Sequence, residues 1–455
     1  MKNAPPHILL VNPWIHDFAA YDFWAKPYGL LQLGAILRSH GFKMSYIDCL
    51  DRFHPKAQNK TNPSAKHGRG PYLKTPLPPP PGLADIKRNF SRYGIKPSWF
   101  QSDLRALDPP DLILVTSLMT YWYPGVHETI AIIKDVFPTT PLVLGGIYAT
   151  LCREHAEQHS GATLVASGAT EKDILKLVSD LTLSKGTGWR SISAFDPENL
   201  DTFPFPAFDL QHQINYIPLL TSRGCPFDCA YCASKTLYPG YQTRRSETVV
   251  SEIEYWHLKF GVQDFAFYDD ALLVNAEIHI IPLLEKIISL RFPIRFHTPN
   301  AVHIRGITGQ TARLMHEAGF KTIRLGLETY RDSARKNLDR KTTTAEFNRA
   351  VTHLRSAGFS KEQVGAYLLV GLPEQKRWAL EDAIEMVHNS GVLPILAHYT
   401  PIPHTRMWPQ AVVSSRYDLA ADPIFTNNAI SPCQKTPFSW EDMSTLKRLV
   451  DSGAT

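Results

Sequence analysis

Three cysteines, Cys225, Cys229 and Cys232, stand at C-x3-C-x2-C spacing in Cys225-Pro-Phe-Asp-Cys229-Ala-Tyr-Cys232, just after the apolar run Tyr216 to Leu220. Thiolates are soft ligands, so a compact group of them points to an iron–sulfur or zinc site. Closed structural sites use four protein ligands, whereas three leave one metal position open to a small molecule. An open position is where chemistry takes place. The competing reading is a zinc knuckle completed by His257, Cys152 or Cys433, or a trio of ordinary buried cysteines; the second C-x2-C pair usual in zinc motifs is missing.

Other reactive or ligand-binding residue types gather at the ends of apolar runs. In the second half these are Tyr268-Asp269-Asp270, Leu325-Gly-Leu-Glu328-Thr329 and Gly371-Leu-Pro373-Glu374. In the first half they are Asn12-Pro13, Thr116-Ser117 with Tyr121 to Tyr123 close behind, Gly145-Gly146, and Gly168-x-x-Glu171. Paired glycines let backbone approach a bulky ligand, and a helix opening at Glu171 offers an N-terminus to an anion. Tight turns and core aromatics would give the same residue types, so each such loop is ambiguous when taken alone.

The elements that must position these residues follow from periodicity. Ile8 to Val11, Met44 to Ile47, Asp111 to Thr116, Pro141 to Gly146 and Leu164 to Gly168 read as buried strands. They alternate with helices over Leu30 to His40, Val126 to Phe137 and Glu171 to Leu183. This pattern predicts an α/β domain over residues 1–185, a doubly wound, Rossmann-like parallel sheet that binds ligands at the carboxyl ends of its strands. Residues 52–100, with Pro78 to Pro81, read as an inserted loop that cannot add a strand to a sheet interior. Within it, Arg88 to Trp99 is either a cover for the active-site mouth or surface decoration. Residues 186–215, carrying Gly186, Gly188, Pro197, Pro204 and Pro206, form a linker. From 216 to 405, six strand and helix repeats predict a partial (β/α)6 barrel with functional residues at strand carboxyl ends. Residues 406–455, with a helix over Trp440 to Val450, form a short C-terminal segment that packs over the barrel.

With Tyr231 directly before the third cysteine, the cysteine loop resembles the cluster loop of the radical S-adenosylmethionine (SAM) enzymes. That resemblance implies that Cys225, Cys229 and Cys232 hold a [4Fe-4S] cluster, that SAM takes the fourth iron, and that reductive cleavage of SAM starts radical chemistry. It also implies SAM-binding roles for Tyr231, Asp269, Asp270, Glu328 and Gly371. The ammonium and ribose hydroxyls of SAM need the acceptors that such carboxylates supply.

Tyr28-Gly-Leu-Leu-x-Leu and Leu144-Gly-Gly-Ile-Tyr-Ala-Thr150 resemble the cobalamin-binding domain found before the barrel in one class of these enzymes. This implies cobalamin contacts from Asn12, Thr116, Ser117, Tyr121, Gly145, Gly146, Gly168 and Glu171. The cobalt-coordinating D-x-H-x-x-G pattern is absent, and Asp51-Arg-Phe-His54 has the wrong spacing. His16, in the first strand-end loop, is either a cobalt ligand or, as expected, a solvated loop residue. Phe203 to Leu210 resembles the passage that joins the two domains in relatives. Pro401-Ile-Pro-His404-Thr405 resembles P-x-P-G-T with histidine in place of glycine.

The implied function is a cobalamin-dependent methyltransferase acting on an unactivated carbon or phosphorus centre. The alternatives are a cobalamin-free radical SAM enzyme catalysing cyclisation or oxidation, and a non-catalytic iron–sulfur protein. The residues that act on substrate are not identified by the sequence. The expected partners are a small-molecule or peptide substrate and an electron donor such as flavodoxin or ferredoxin.

Composition narrows the field. The chain has 455 residues, 44% hydrophobic and 20% charged, and a formal net charge of only +5. With no basic block, nucleic acid is not an expected partner. The first apolar stretch is too short for a signal peptide or a membrane span. An anaerobic cytoplasm is the expected setting, because a reducing compartment keeps thiols available for metal.

Overall fold

The computed structural model describes residues 4–57, 66–183, 195–329, 338 and 342–452. Gly186 and Gly188 of the linker and residues 58–65 of the insertion lie outside the described residues. The chain forms two compact units, one of residues 1–215 with 422–424, the other of 216–421 with 425–455.

The first unit is built on β1 (His7–Asn12), whose residues are all buried. Its side chains divide by parity between two apolar layers, as a strand covered on both faces requires. Leu9 and Val11 join one core with Phe100, Val126 and Ile130, while Ile8 and Leu10 join another with Leu30, Leu37, Ile174 and Val178. Next come β2 (Ile15–Asp17), α1 (Tyr28–Ser39), β3 (Lys43–Asp48), β4 (Lys74–Leu77), β5 (Phe90–Tyr93) and α2 (Pro97–Arg105). After these come β6 (Leu112–Val115), α3 (Tyr123–Val136), β7 (Leu142–Leu144), α4 (Ile147–Leu151), α5 (Arg153–His159), β8 (Leu164–Val165) and α6 (Glu171–Leu183).

The parallel sheet runs β3-β1-β6-β7-β8. The order in which strands are added therefore reverses between the parallel neighbours β1 and β6, and the crevice beyond their carboxyl ends is the topological switch point where doubly wound sheets bind ligands.

The insertion is more ordered than its composition indicates. Rather than an irregular loop, it contributes β4 and β5 to a separate antiparallel sheet ordered β2-β5-β4. Pro76 sits in β4, an edge strand, where a missing N–H removes no interior ladder bond. The proline run 78–81 falls in the β4–β5 connection. Arg88 to Trp99 is likewise part of this framework, because Phe90 to Tyr93 form β5 and Trp99 packs on the unit's core from α2.

The second unit contains β9 (Ile217–Leu219), β10 (Ser222–Gly224), α7 (Ser234–Leu237), β11 (Tyr241–Thr243), α8 (Ser246–Phe260), β12 (Asp264–Phe267), α9 (Ile280–Leu290) and β13 (Arg295–His297). It continues with α10 (Gly309–Glu317), β14 (Phe320–Glu328), α11 (Thr344–Ser356), β15 (Val364–Val370), α12 (Arg377–Asn389) and β16 (Leu393–His398). Its six parallel strands pair in chain order from β9 to β16, giving a partial barrel. Phe265, Phe267, Phe296 and Phe320 fill the interior from three adjacent strands, with the Phe267 and Phe320 rings stacked at 5.4 Å.

Helix starts are written into the sequence. Thr343 and Glu346 form a reciprocal capping box before α11, the Glu346 carboxylate accepting the Thr343 amide at 2.7 Å. The chain ends with α13 (Trp408–Ser414) and α14 (Trp440–Ser452). Met407, Ala411, Leu419 and Cys433 share a core with Leu369, Leu372 and Tyr399 at the ends of β15 and β16. Among the described residues, no helix is long and apolar enough to cross a membrane.

Candidate active site

The cysteine loop leaves the carboxyl end of β9 through Thr221 and Ser222, both fully buried. The Asp269 carboxylate, 2% exposed at the end of β12, accepts hydrogen bonds from the Thr221 amide (3.1 Å), the Thr221 hydroxyl (2.7 Å) and the Ser222 hydroxyl (2.6 Å). The Thr221 hydroxyl lies 2.9 Å from His279 Nε2. Asp269 is thus committed to the neck of the loop, while its neighbour Asp270 is exposed.

β10 and β11 pair antiparallel and close the loop. At the crossing, Gly224 has φ +81°, and a Cβ there would stand 2.1 Å from the Gly240 carbonyl oxygen, so no other residue fits.

Within the loop, Cys225 and Cys229 are buried and Cys232 is exposed. The Ser234 amide donates to Cys232 Sγ at 3.4 Å, and the Ser234 hydroxyl lies 3.2 Å from the same sulfur. Ala230 is fixed on both sides: its amide donates to Leu338 O (2.7 Å) and its carbonyl accepts from the Met407 amide (2.9 Å). Tyr231 packs against the core that contains Met407 and Cys433. Phe227 stacks on His303 at 4.2 Å, and Arg406 Nε pairs with Asp228 at 3.2 Å.

The donor set fits an iron–sulfur cluster with three protein ligands better than a closed zinc site. Burial pushes the Cys433 thiol up to about 12, which keeps it protonated. The His257 ring bonds Val262 O at 2.8 Å, just before β12 begins and away from the strand end that carries Asp269.

Two further strand ends carry the other expected SAM contacts. Glu328 closes β14 at a register shift against β15, with φ +63° and 8% exposure. A left-handed, buried, non-glycine residue costs about 1–2 kcal/mol, and such strain collects at functional sites. Gly371 follows β15 with φ +89°. Its amide donates to Gln375 Oε1 (2.8 Å), while Gln375 Nε2 donates to Leu369 O (2.7 Å). Gln375, Thr221, Ser222 and His279 were not singled out from the sequence; a polar residue four positions after a strand-end glycine was the available signal for the first. His404 is exposed with φ +67°, so it occupies a left-handed position that glycine fills without strain.

In the first unit, the switch point is framed by side chains tied to backbone. Asn12 Nδ2 donates to Asp48 Oδ1 at 2.7 Å, joining the ends of β1 and β3. Ser117 Oγ donates to Gly145 O (2.7 Å) and accepts from the Ala149 amide (3.3 Å). Gly146 has φ +94°, and a Cβ on it would lie 2.3 Å from Ser117 O. At Gly145 the nearest contact to an added Cβ is 4.0 Å away, which leaves room for a ligand to approach the backbone. Thr116, beside Ser117, is half-buried.

The aromatics after β6 do not form an open flat face. Tyr121 is 2% exposed, Trp122 Nε1 donates to Asp17 (2.7 Å), and the Tyr123 hydroxyl donates to Asp422 (3.0 Å). Gly168 has φ +64° and open surroundings. Glu171 begins α6, whose N-terminus is capped by Thr170 and Asp173, the Asp173 carboxylate accepting the Thr170 amide at 2.9 Å. His16 is not solvated either, being buried in β2 with Nε2 2.8 Å from Glu128 Oε2.

Residues 219–387 match the family model described as the radical SAM superfamily. An uncharacterized methyltransferase of Pyrococcus horikoshii is 23% identical over 331 residues, covering 67% of this chain and 70% of that protein. The anaerobic magnesium-protoporphyrin IX monomethyl ester cyclase of Cereibacter sphaeroides is 25% identical over 339 residues, covering 67% of this chain and 53% of the cyclase. Among solved structures, the radical S-adenosylmethionine methyltransferase TsrM from Kitasatospora setae, determined with cobalamin and a [4Fe-4S] cluster bound, superposes with a TM-score of 0.68 at 16% identity. That match covers 98% of this chain and 91% of TsrM. At such identity the likeness is one of fold.

Proposed function

We propose, the chain being a member of the radical SAM superfamily, that it is a cobalamin-dependent methyltransferase acting on an unactivated carbon or phosphorus centre. The observation that carries this reading is the conjunction, in one chain, of a three-cysteine loop pinned at a barrel strand end and a doubly wound unit with an approachable glycine at its switch point. Cys225, Cys229 and Cys232 would hold the cluster, which supplies the electron that cleaves a carbon–sulfur bond of SAM. Asp269 holds the loop's neck, Ser234 steadies the Cys232 sulfur, and Glu328 presents a carboxylate to the amino or ribose groups of SAM. Ser117, Gly145 and Gly146 would receive cobalamin, which carries the methyl group. A flavodoxin or ferredoxin is the proposed reductant.

One relative is named a cyclase, which supports a second reading in which the same barrel closes a ring instead of transferring methyl. A visible spectrum of the anaerobically reconstituted protein, followed by incubation with methyl-labelled SAM, tests the proposal. Iron–sulfur and cobalamin bands together with label transfer to cobalamin are expected. Cluster absorption with no retention of cobalamin would leave the cobalamin-free alternative in its place.

A further inference from the structure

Three histidines gather in the first unit where α3, α4 and α5 meet. His155 and His159 stand at i and i+4 on α5, on one helix face, with ring centroids 4.7 Å apart. The Tyr148 hydroxyl, from α4, lies 2.7 Å from His155 Nδ1 and 3.2 Å from His127 Nε2, and the His127 ring stacks on that of His155 at 6.0 Å. With Tyr148 donating to His127, its oxygen accepts the Nδ1–H of His155, and the lone pair of that ring is left on Nε2. His155 Nε2 has no hydrogen-bond partner among the described residues and is not one of their buried, unpaired atoms, so it meets solvent. His159 is exposed, and neither of its ring nitrogens is hydrogen-bonded to a described residue. Burial above all lowers His127 to about 4 and holds His155 below the usual imidazole value, so both rings are neutral at pH 7, the form that takes a metal.

We propose that His155 and His159 form a two-imidazole site for a divalent transition-metal ion of the nickel, copper or zinc class, with water in its remaining positions. Imidazole suits these ions, and two histidines one turn apart on a helix face are a recurrent metal-binding pair. Tyr148 supplies the partner that a ligating histidine needs on its second nitrogen, which fixes both the tautomer and the ring. Charge agrees. Asp422, which belongs to the same unit and accepts the Tyr123 hydroxyl at 3.0 Å, acts on the His155 ring against the effect of burial and so favours a cation there. Cys152, just before α5, adds no thiolate, because burial and then Asp422 push its thiol up to about 12. α5 leads from β7 towards the start of the parallel strand β8, and His159 is its last residue, on the side of the sheet away from the switch point proposed for cobalamin.

Calorimetric titration of nickel chloride into the untagged, anaerobically reconstituted full chain, whose cysteine loop then does not compete for the ion, tests the proposal. The wild type is expected to bind nickel. His159→Gln, a change at an exposed position, is expected to weaken the tightest nickel site about tenfold or more, because one imidazole alone loses the effective concentration that its neighbour provides. His155→Gln is expected to match it. Glu157→His combined with His159→Gln keeps the number of histidines but moves one to i+2, off the shared face, and is expected to stay weak. Wild-type nickel affinity in either single variant, affinity restored by the moved histidine, or no nickel bound by the wild type overturns the proposal.

Discussion

The carboxylate of Asp269 takes both the hydroxyl and the amide of Thr221, at 2.7 and 3.1 Å, so the end of β12 grips the strand end from which the cysteine loop departs. Asp269 therefore acts on the cluster through the loop. Asp269→Asn turns one acceptor atom into a donor facing other donors, a mismatch of about 1–3 kcal/mol. Iron and sulfide content after reconstitution is expected to fall, with SAM affinity per intact cluster unchanged. Full cluster occupancy combined with lost SAM binding would make Asp269 a direct SAM ligand instead.

The cysteines divide by environment. Cys49 is fully buried and its pKa is raised well above the usual thiol value, first by burial and then by Asp48, while burial followed by Asp422 brings Cys152 to about 12. Thiols held protonated are poor ligands. Alanine at Cys225, Cys229 or Cys232 is expected to abolish the cluster's visible absorption, because two thiolates do not hold the cluster. Alanine at Cys49, Cys152 or Cys433 should leave it intact. Loss of the cluster in any of these last three variants would mean a fourth thiolate ligand.

Glu328 separates folding from function. Glu328→Gln should weaken SAM binding roughly ten- to a hundredfold through loss of a charge-assisted hydrogen bond, with little change in urea stability. Glu328→Gly should lose SAM binding as well, yet unfold at an equal or higher urea concentration. Relief of about 1–2 kcal/mol of left-handed strain offsets roughly 0.5–1 kcal/mol of glycine backbone entropy. Wild-type SAM affinity in both variants, measured calorimetrically on the reconstituted protein, would remove Glu328 from the site.

Strand periodicity located the two parallel sheets because fully buried strands such as Ile8 to Val11 and Val364 to Val370 leave an unbroken apolar record. The cysteine loop was legible because its chemistry lies in local spacing. What stayed hidden depends on contacts distant in sequence. The Asp269–Thr221 link spans 48 residues, and the Trp122–Asp17 bond that withdraws an aromatic from the switch point spans 105. β5 was hidden for a different reason: four residues, Phe-Ser-Arg-Tyr, are too few to show a period, and the nearby prolines masked a small sheet that lies outside the main one. At His404 the missing glycine was visible, while the left-handed backbone that makes glycine usual there was not.

Histidines of the first unit set an acid limit to its stability. Burial, then the neighbouring His155 and His159, lowers the pKa of His127 from 6.5 to about 4, and its Nε2 lies 3.2 Å from the Tyr148 hydroxyl. As pH falls, the unfolded chain takes up the proton first. The stabilisation is therefore complete above pH 6.5 and is lost as pH drops towards 4, by roughly 3 kcal/mol in full. Urea midpoints at pH 7.5 and 5.0 should fall less for His127→Gln than for the wild type. Parallel pH profiles would show that His127 carries none of the effect.

The proposed cobalamin should bind without a protein nitrogen on cobalt, because the histidines nearest to that role are already engaged. His54 uses Nε2 on Asp103 (2.9 Å) and Nδ1 on the Lys56 amide (3.2 Å), leaving no ring nitrogen to donate to a metal. His16 Nε2 stands 2.8 Å from Glu128 Oε2, and Arg92 donates to both oxygens of that carboxylate. Burial alone would raise the Glu128 pKa, but the neighbouring His16 and Arg92 bring it below the ordinary carboxylate value. Electron paramagnetic resonance of the protein loaded with cob(II)alamin can decide the matter, since a nitrogen below cobalt splits its lines into triplets. The same splitting is expected in the wild type, His16→Ala and His54→Ala, because no protein histidine contributes to it. Triplets that disappear in His16→Ala would show that the histidine leaves Glu128 for the metal, and triplets that disappear in His54→Ala would assign the ligand to β3's end instead.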